Sequence, residues 1–184
     1  MPVYIYCLVA AGTILWASAF PVFRSGAHGA LTLDRRARWG VALQCVGYSM
    51  LWQGAFWKRR PEPWRVGLSM ALFAAAFLLS WAAARTLGRH LRVDAAVDSG
   101  HQLVQSGPYR VVRHPIYTSM LAVVAATGIL VAPLYLFIAG LLTFLVGTEI
   151  RMRLEEALLV SRFGDQFRSY RRAVPRLIPF LKEL

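Results

Sequence analysis

The chain has 184 residues, of which 57% are hydrophobic and 16% are charged, and its mean hydropathy is +0.47. Soluble domains carry about 25% charged residues, so the composition excludes an ordinary soluble domain and indicates one integral membrane domain over residues 1–184. The net charge of +12 does not indicate nucleic acid here, because the basic residues separate apolar runs, as topology signals and lipid-headgroup contacts do.

The first three apolar runs predict transmembrane helices at residues 3–23, 39–57 and 66–84. Crossing a ~30 Å hydrocarbon core takes about 20 residues at ~1.5 Å per residue. The first run contains Ala17-Ser18-Ala19, which is similar to a signal-peptidase site, but no Lys or Arg precedes it. We therefore expect a retained helix, with a signal peptide as the alternative.

The apolar stretch at residues 116–150 is longer than one span requires. Pro133 lacks a backbone donor, and a proline disfavours helical geometry in the residue before it. We predict a tight helical hairpin with spans at 116–131 and 134–148, and one long kinked helix is the alternative. The polar segments 85–115 and 149–184 would then carry the catalytic elements.

The basic residues are distributed unequally between the two sides of this arrangement. Residues 24–38, 85–115 and 149–184 carry seventeen Lys and Arg together, whereas the loop Lys58–Arg65 carries four. The positive-inside rule then places the N-terminus outside and the C-terminal segment in the cytoplasm. The predicted fold is an all-α, multi-pass membrane protein with about five transmembrane helices, a cytoplasmic C-terminal helix and an extended tail.

The cysteines and histidines do not predict a metal site. Cys7 and Cys45 lie in separate apolar runs and are expected to be buried free thiols. The four histidines are dispersed, without a His-x-x-x-His or Cys-x-x-Cys pair.

Two polar clusters are expected to meet at the cytoplasmic ends of the hairpin. The first reads G-P-Y-R-V-V-R-H-P-I-Y over 107–117, and the second reads R-M-R-L-E-E over 151–156, followed by F-G at 163–164 and V-P-R at 174–176. The hairpin brings them together because its first span begins where its second ends. Ionisable groups at a membrane edge indicate a functional site, and a basic loop that only fixes orientation is the alternative.

These motifs, in this order, resemble the isoprenylcysteine carboxyl methyltransferases and the wider group of membrane phospholipid methyltransferases, over residues 87–180. The resemblance implies S-adenosylmethionine as methyl donor, in a pocket that the extended tail closes. It implies a substrate-carboxylate role for Arg113 and Arg153. It implies cofactor binding by six residues, namely Tyr109, His114, Pro115, Tyr117, Glu155 and Glu156.

The chemistry of these side chains suits that reaction. The donor carries a sulfonium and an ammonium, for which a carboxylate pair is a suitable partner. A carboxylate nucleophile needs no general base, and a planar guanidinium can hold it with two parallel hydrogen bonds. An amine substrate would first have to lose a proton, to Glu156 or His114.

Each residue also has a structural interpretation. His114 could cap the fourth helix or bond a backbone carbonyl. The two glutamates could form a solvated helix face, paired with Arg151 and Arg153. Tyr109 and Tyr117 could be aromatic residues of the membrane interface.

We therefore expect a membrane methyltransferase whose partners are membrane lipids and a lipophilic or lipid-linked substrate. The carboxyl group of an isoprenylcysteine-like molecule is the first candidate, and a lipid amine is the second. A transporter subunit or scaffold is the alternative of another class, but a transporter would carry polar groups near mid-membrane. The absence of a strand–Gly-x-Gly-x-x-Gly–helix pattern argues against a soluble Rossmann-type methyltransferase.

Overall fold

The computed structural model describes residues 1–20, 35–55, 58, 60–88 and 103–179. These residues form six α-helices and no strand, which confirms the all-helical prediction for this part of the chain. A short 3₁₀ turn at Gly107–Arg110 precedes the fourth helix. The helices are α1 (Val3–Ser18), α2 (Arg35–Met50), α3 (Pro63–Leu87), α4 (Pro115–Val131), α5 (Leu134–Phe163) and α6 (Asp165–Ala173).

Two of these helices, α3 and α5, are long and apolar enough to cross a membrane. The apolar helices α1 and α4 are shorter, at 16 and 17 residues, or about 24–26 Å at ~1.5 Å per residue. This pattern supports membrane association. The number of spans and their orientation stay predictions.

The helix ends differ from the predicted spans because apolar runs do not mark helix ends. α2 begins at Arg35 rather than 39, since arginine is a good helix former, and it ends at Met50 rather than 57. α1 ends at Ser18 rather than 23, and residues 21–34 lie outside the described part. α3 exceeds the predicted 66–84 at both ends, with a proline in its first turn and Gly88 after its last residue.

The predicted hairpin at Pro133 is confirmed. α4 ends at Val131 and α5 begins at Leu134, so one long kinked helix is the wrong alternative. The prediction ended the second span at Thr148 and placed the charged segment after it, but the helix does not end or break at this residue. α5 continues for 30 residues to Phe163, which is about 45 Å, so one helix carries both the apolar span and the glutamates.

α2 and α5 pack antiparallel through two pairs of glycines. Gly40 faces Gly147, and Gly47 faces Gly140. A Cβ atom on Gly47 would lie 2.6 Å from the carbonyl oxygen of Gly140, and one on Gly147 would lie 2.5 Å from that of Gly40. The missing side chains therefore permit close contact between the two backbones, as in membrane helix pairs.

A buried hydroxyl network joins α1 and α3 to the start of α4. Ser119 Oγ accepts hydrogen bonds from Trp16 Nε1 at 3.0 Å and Ser80 Oγ at 2.7 Å. It donates to the carbonyl of Ile116 at 2.6 Å. One donated and two accepted bonds satisfy the hydroxyl fully, so the network fixes the first turns of α4.

The cysteine prediction is half correct. Cys7 and Cys45 are free, but both side chains are exposed rather than buried. They lie on helix surfaces that the other described elements leave uncovered. An apolar neighbourhood in the sequence of a membrane protein does not distinguish a lipid-facing surface from the protein core.

Candidate active site

The two predicted polar clusters meet where α4 begins beside the second half of α5. Pro115 is the first residue of α4, where a missing N–H and a fixed φ are well tolerated. His114 stands at the N-cap position, but its side chain makes no capping bond. Instead, His114 Nε2 lies 3.0 Å from Glu156 Oε1. The two helices of the hairpin are therefore linked by the loop at Pro133 at one end and by the contact between His114 and Glu156 at the other.

Glu156 is a buried carboxylate surrounded by cationic side chains. The residue is 5% exposed. Its Oε1 accepts hydrogen bonds from Arg113 Nη1 at 2.5 Å and from Arg176 Nε at 3.1 Å. Its Oε2 accepts one from Arg176 Nη2 at 3.1 Å. Glu156 therefore does not lie on a solvated helix face, which was the structural interpretation of the two glutamates.

Glu155 has different surroundings, with 27% of its side chain exposed. Its Oε1 accepts a short hydrogen bond from the hydroxyl of Tyr117, and its Oε2 lies 3.6 Å from His114 Nδ1. Consecutive helix positions are ~100° apart, so the imidazole of His114 lies between the two carboxylates. Of the two glutamates, Glu155 keeps more of its surface for a ligand.

Tyr117 is buried and held from two sides. Its hydroxyl donates to Glu155, and the guanidinium of Arg151 lies 5.3 Å from its ring centroid, in cation–π geometry. Arg151 Nη1 also donates to Gln44 Oε1 at 3.1 Å, and Gln44 Nε2 donates to Thr148 Oγ1 at 2.9 Å. α2 therefore supports the site, although the sequence motifs do not include it.

Arg113 faces the protein interior and is 6% exposed. Its Nε donates to the carbonyl of Val174 at 3.0 Å, and its Nη1 donates to Glu156. These contacts join α5 to the C-terminal segment. A role for Arg113 with a substrate carboxylate stays a prediction.

Arg153 points away from this cluster, with 75% of its side chain exposed. Its Nε lies 2.5 Å from Glu149 Oε1, one helical turn earlier. Both residues line an open groove of about 690 Å³, whose other lining residues include Leu142, Val146 and Leu177. The groove is thus apolar along α5 and charged at one end.

A non-helical strap, residues 174–179, lies against the start of α4. The N–H groups of Arg113 and His114 donate to the carbonyls of Pro175 and Arg176, at 2.8 and 3.0 Å. Thr118 Oγ1 donates to the carbonyl of Leu177 at 2.7 Å. Val174 has extended backbone angles (φ −116, ψ 129). The strap bends at 174 and 176–178 and turns at Pro179, so the predicted extended tail is not extended throughout, and Phe180 lies outside the described residues.

Arg176 is a central site residue that the sequence analysis did not assign. Its Nη1 donates to both oxygens of Glu149, at 2.8 and 2.9 Å, while Nε and Nη2 bind Glu156. The V-P-R motif was the signal that could have identified it. The spacing of this arginine from two glutamates on another element could not be read from the motif.

Tyr109 lies in the 3₁₀ turn, and its carbonyl accepts a hydrogen bond from the hydroxyl of Tyr170 at 2.6 Å. Burial raises the pKa of the Tyr109 phenol above its ordinary value and raises the pKa of Tyr170 to about 12. The Tyr170 hydroxyl is the donor in this bond, because a carbonyl oxygen can only accept. The contact ties α6 to the turn, and direct cofactor binding by Tyr109 stays a prediction.

The cluster offers carboxylates, an imidazole and an aromatic ring, which suit an organic cation. The described part of the chain contains no cluster of three or more His, Cys, Asp or Glu side chains that could hold a metal ion.

Comparison with known proteins identifies the family. Residues 64–166 match the phospholipid methyltransferase family. The chain is 36% identical over 112 residues to a protein-S-isoprenylcysteine O-methyltransferase of Schizosaccharomyces pombe, covering 52% of this chain and 46% of that protein. The corresponding Xenopus laevis protein is 34% identical over 121 residues, covering 64% and 41%.

A methanethiol S-methyltransferase of Crocosphaera subtropica is 37% identical over 73 residues, covering 40% of this chain and 28% of that protein. The chain spans less than half the length of each of these three relatives. The family match nevertheless covers more than half of this chain and includes residues 107–117 and 151–156 of the two polar clusters. The chain belongs to the phospholipid methyltransferase family.

Proposed function

We propose that this protein is an integral membrane methyltransferase that uses S-adenosylmethionine, bound by His114, Tyr117 and Glu155 beneath the strap. The observation that carries the proposal is the closure of the hairpin, which gathers the two motifs and leaves Glu155 partly exposed. Membership of the family supports the reaction class. When bound, the donor supplies a methyl group on a positively charged sulfur.

The side chains of the site suit this donor. The carboxylate of Glu155 matches its positive charge, and the hydroxyl of Tyr117 holds that carboxylate in place. Both side chains are already fixed by other contacts, with Arg151 against the tyrosine and His114 against the glutamate. Methyl transfer gains mainly from such fixed positions and charges, because the reacting groups must lie in line. Pro115 and Tyr109 would complete the pocket from α4 and the 3₁₀ turn.

We propose that the substrate is lipophilic and that its apolar chain lies in the groove beside α5. The apolar lining suits a hydrocarbon chain, and the guanidinium of Arg153 lies at the charged end. Glu149 orients Arg153, whose planar fork can hold a carboxylate with two parallel bonds. The carboxyl group of an isoprenylcysteine-like molecule is therefore the first candidate, in agreement with the names of two relatives.

A thiol is a second candidate, because several relatives are named methanethiol S-methyltransferases. A lipid amine is a third, and the family description supports it. The three products differ chemically, since a methyl ester is hydrolysed by base and methylated amines and thioethers are not.

We further propose that five helices span the membrane and that the catalytic face and α6 are cytoplasmic. The seventeen-to-four distribution of basic residues supports this orientation. The exposed basic residues of α6 would then face anionic headgroups.

The proposed function is tested by methyl transfer in lipid nanodiscs containing the full chain. Radiolabelled S-adenosylmethionine is supplied with a farnesylated cysteine, a phosphatidylethanolamine or a short thiol. We expect base-labile label on the farnesylated cysteine. Stable label on the amine or the thiol would replace the substrate proposal, and no transfer to any of the three would contradict the reaction class.

A further inference from the structure

We propose that the two consecutive glutamates have separate roles, and that Glu156 is a positioning residue which fastens the strap. The role of Glu155 at the donor rests on the proposed function. The role of Glu156 in holding the strap does not, because it follows from contacts within the protein.

Both oxygens of Glu156 are engaged by cationic groups of the protein. Arg113 reaches Oε1, and Arg176 reaches both oxygens. With the residue 5% exposed, a cationic donor would find little of this carboxylate surface. Glu155, in contrast, has 27% of its side chain exposed. We therefore assign Glu156 to holding the strap and Glu155 to binding the donor.

The two arginines carry the attachment from Glu156 to the strap. Arg176 is itself a strap residue, and it spans Glu149 and Glu156. Arg113 binds the strap twice, through its N–H to Pro175 and through its Nε to Val174. Glu156 therefore holds the strap directly through Arg176, which belongs to the strap, and indirectly through Arg113, which bonds to strap carbonyls.

The carboxylate of Glu156 faces two guanidiniums, those of Arg113 and Arg176. Neutralising Glu156 removes the negative charge that Arg113 and Arg176 share, and the two guanidiniums then repel each other. Breaking a buried ion pair on one side is strongly destabilising, because it leaves a buried charge uncompensated. The strap should be the part that yields, because it is short and non-helical, whereas α4 and α5 are held by their own backbone bonds.

Hydrogen exchange at the N–H groups of Arg113 and His114 reports directly on the strap. Both groups lie outside helices and donate to strap carbonyls. Local opening determines such exchange rates. In Glu156→Gln we expect these amides to exchange roughly tenfold faster or more, the effect of losing a charged hydrogen bond. Arg176→Gln should reproduce the change, and Arg176→Lys should restore part of the protection.

Glu155→Gln is the matched variant, with the same charge change one residue earlier. We expect it to leave the exchange of these two amides unchanged. Arg168→Gln removes an exposed ion pair with Asp165 on α6 and should also have no effect. Helical circular dichroism of every variant would distinguish opening of the strap from loss of the fold.

Binding kinetics of S-adenosylhomocysteine give a second readout. If Glu156 acts through the strap, Glu156→Gln should speed both association and dissociation, because the pocket stays open. If Glu155 contacts the donor, Glu155→Gln should speed dissociation alone.

Unchanged exchange in both Glu156→Gln and Arg176→Gln would overturn the proposal. Equal acceleration by Glu155→Gln would overturn the division between the two glutamates. A parent protein that binds no S-adenosylhomocysteine would contradict the proposed function, while the exchange experiment would still decide the role of Glu156.

Discussion

The contacts that each residue of α5 makes in this site depend on the side of the helix on which the residue lies. Arg153 and Glu155 are two positions apart, which is ~200° of helix rotation. The glutamate accordingly faces Tyr117, while the arginine faces the groove. The two side chains therefore have separate surroundings on the same turn of helix.

His114→Ala should weaken the binding of S-adenosylhomocysteine. The imidazole hydrogen-bonds to Glu156 through Nε2, and its Nδ1 lies 3.6 Å from Glu155, on the side where we propose that the donor binds. Losing a hydrogen bond to a charged group costs ~1.5–3 kcal/mol, which corresponds to roughly tenfold or more in affinity. Isothermal titration calorimetry measures the loss. Affinity equal to that of the parent protein would show that the histidine has no part in the donor site.

Arg153→Lys should lower turnover of a carboxylate substrate and leave S-adenosylhomocysteine binding unchanged. Lysine keeps the charge but loses the planar fork. An exposed salt bridge with Glu149 alone would contribute only ~0.3–0.5 kcal/mol. Arg162→Lys, at the last turn of the same helix, is the control and should turn over normally. Parent-like turnover in Arg153→Lys would remove the substrate role of this arginine and favour the amine or thiol reaction.

Whole elements set the distances within the site. α2 packs against α5 through glycines and supplies Gln44, which holds Arg151 over Tyr117. The strap supplies Arg176 from the opposite direction. Neither element lies within the residues that match the family, 64–166. Parts of this chain outside the family match therefore hold the family motifs in place.

Truncation after Arg172 should abolish methyl transfer, because it removes the strap with its contacts to Arg113 and His114. Truncation after Phe180 is the control, since it keeps the strap, and it should stay active. Circular dichroism should show helices in both proteins. Full activity without the strap would mean that closure over the donor is not required.

Gly147→Val should destabilise the pairing of α2 and α5. A Cβ atom there would lie 2.5 Å from the carbonyl oxygen of Gly40, so the backbones must separate. Gly67→Ala in α3 is the control, because nothing lies within 4 Å of its added atom. It should be neutral or gain roughly 0.5–1 kcal/mol from helix propensity. Thermal unfolding in detergent compares the two, and equal unfolding temperatures would contradict the close packing.

At the scale of the whole molecule, the charged chemistry gathers at one end of an apolar helical body. This separation suits an enzyme that takes a lipophilic substrate from the membrane and a charged donor from water. The proposed donor site would have to face the compartment that holds the donor, so the orientation of the chain in the membrane bears on its function.

The orientation predicts how introduced cysteines react with a membrane-impermeant reagent. In a chain carrying Cys7→Ser and Cys45→Ser, Asp165→Cys should be labelled only from the cytoplasmic side. Lys58→Cys should be labelled only from the outside. Asp165 is suitable because 91% of its side chain is exposed. The reverse labelling pattern would invert the proposed topology.

The sequence predicted the hairpin because Pro133 interrupts an apolar run that is too long for one span. It also predicted the meeting of His114 with the two glutamates, which follows from the hairpin. It did not predict that Arg176 would bridge Glu149 and Glu156, because that depends on how the strap folds back. It also did not predict the exposure of the cysteines, since burial against protein and exposure to lipid leave the same apolar pattern.

Calorimetric titration with S-adenosylhomocysteine tests the donor site at Glu155 most directly. The comparison uses the full chain in detergent, Glu155→Gln, and Asp165→Asn as a control at an exposed carboxylate of α6. We predict clear binding by the parent, at least roughly tenfold weaker binding by Glu155→Gln, and parent-like binding by Asp165→Asn. No binding by the parent, or equal binding by the parent and Glu155→Gln, would contradict the assignment of the donor site.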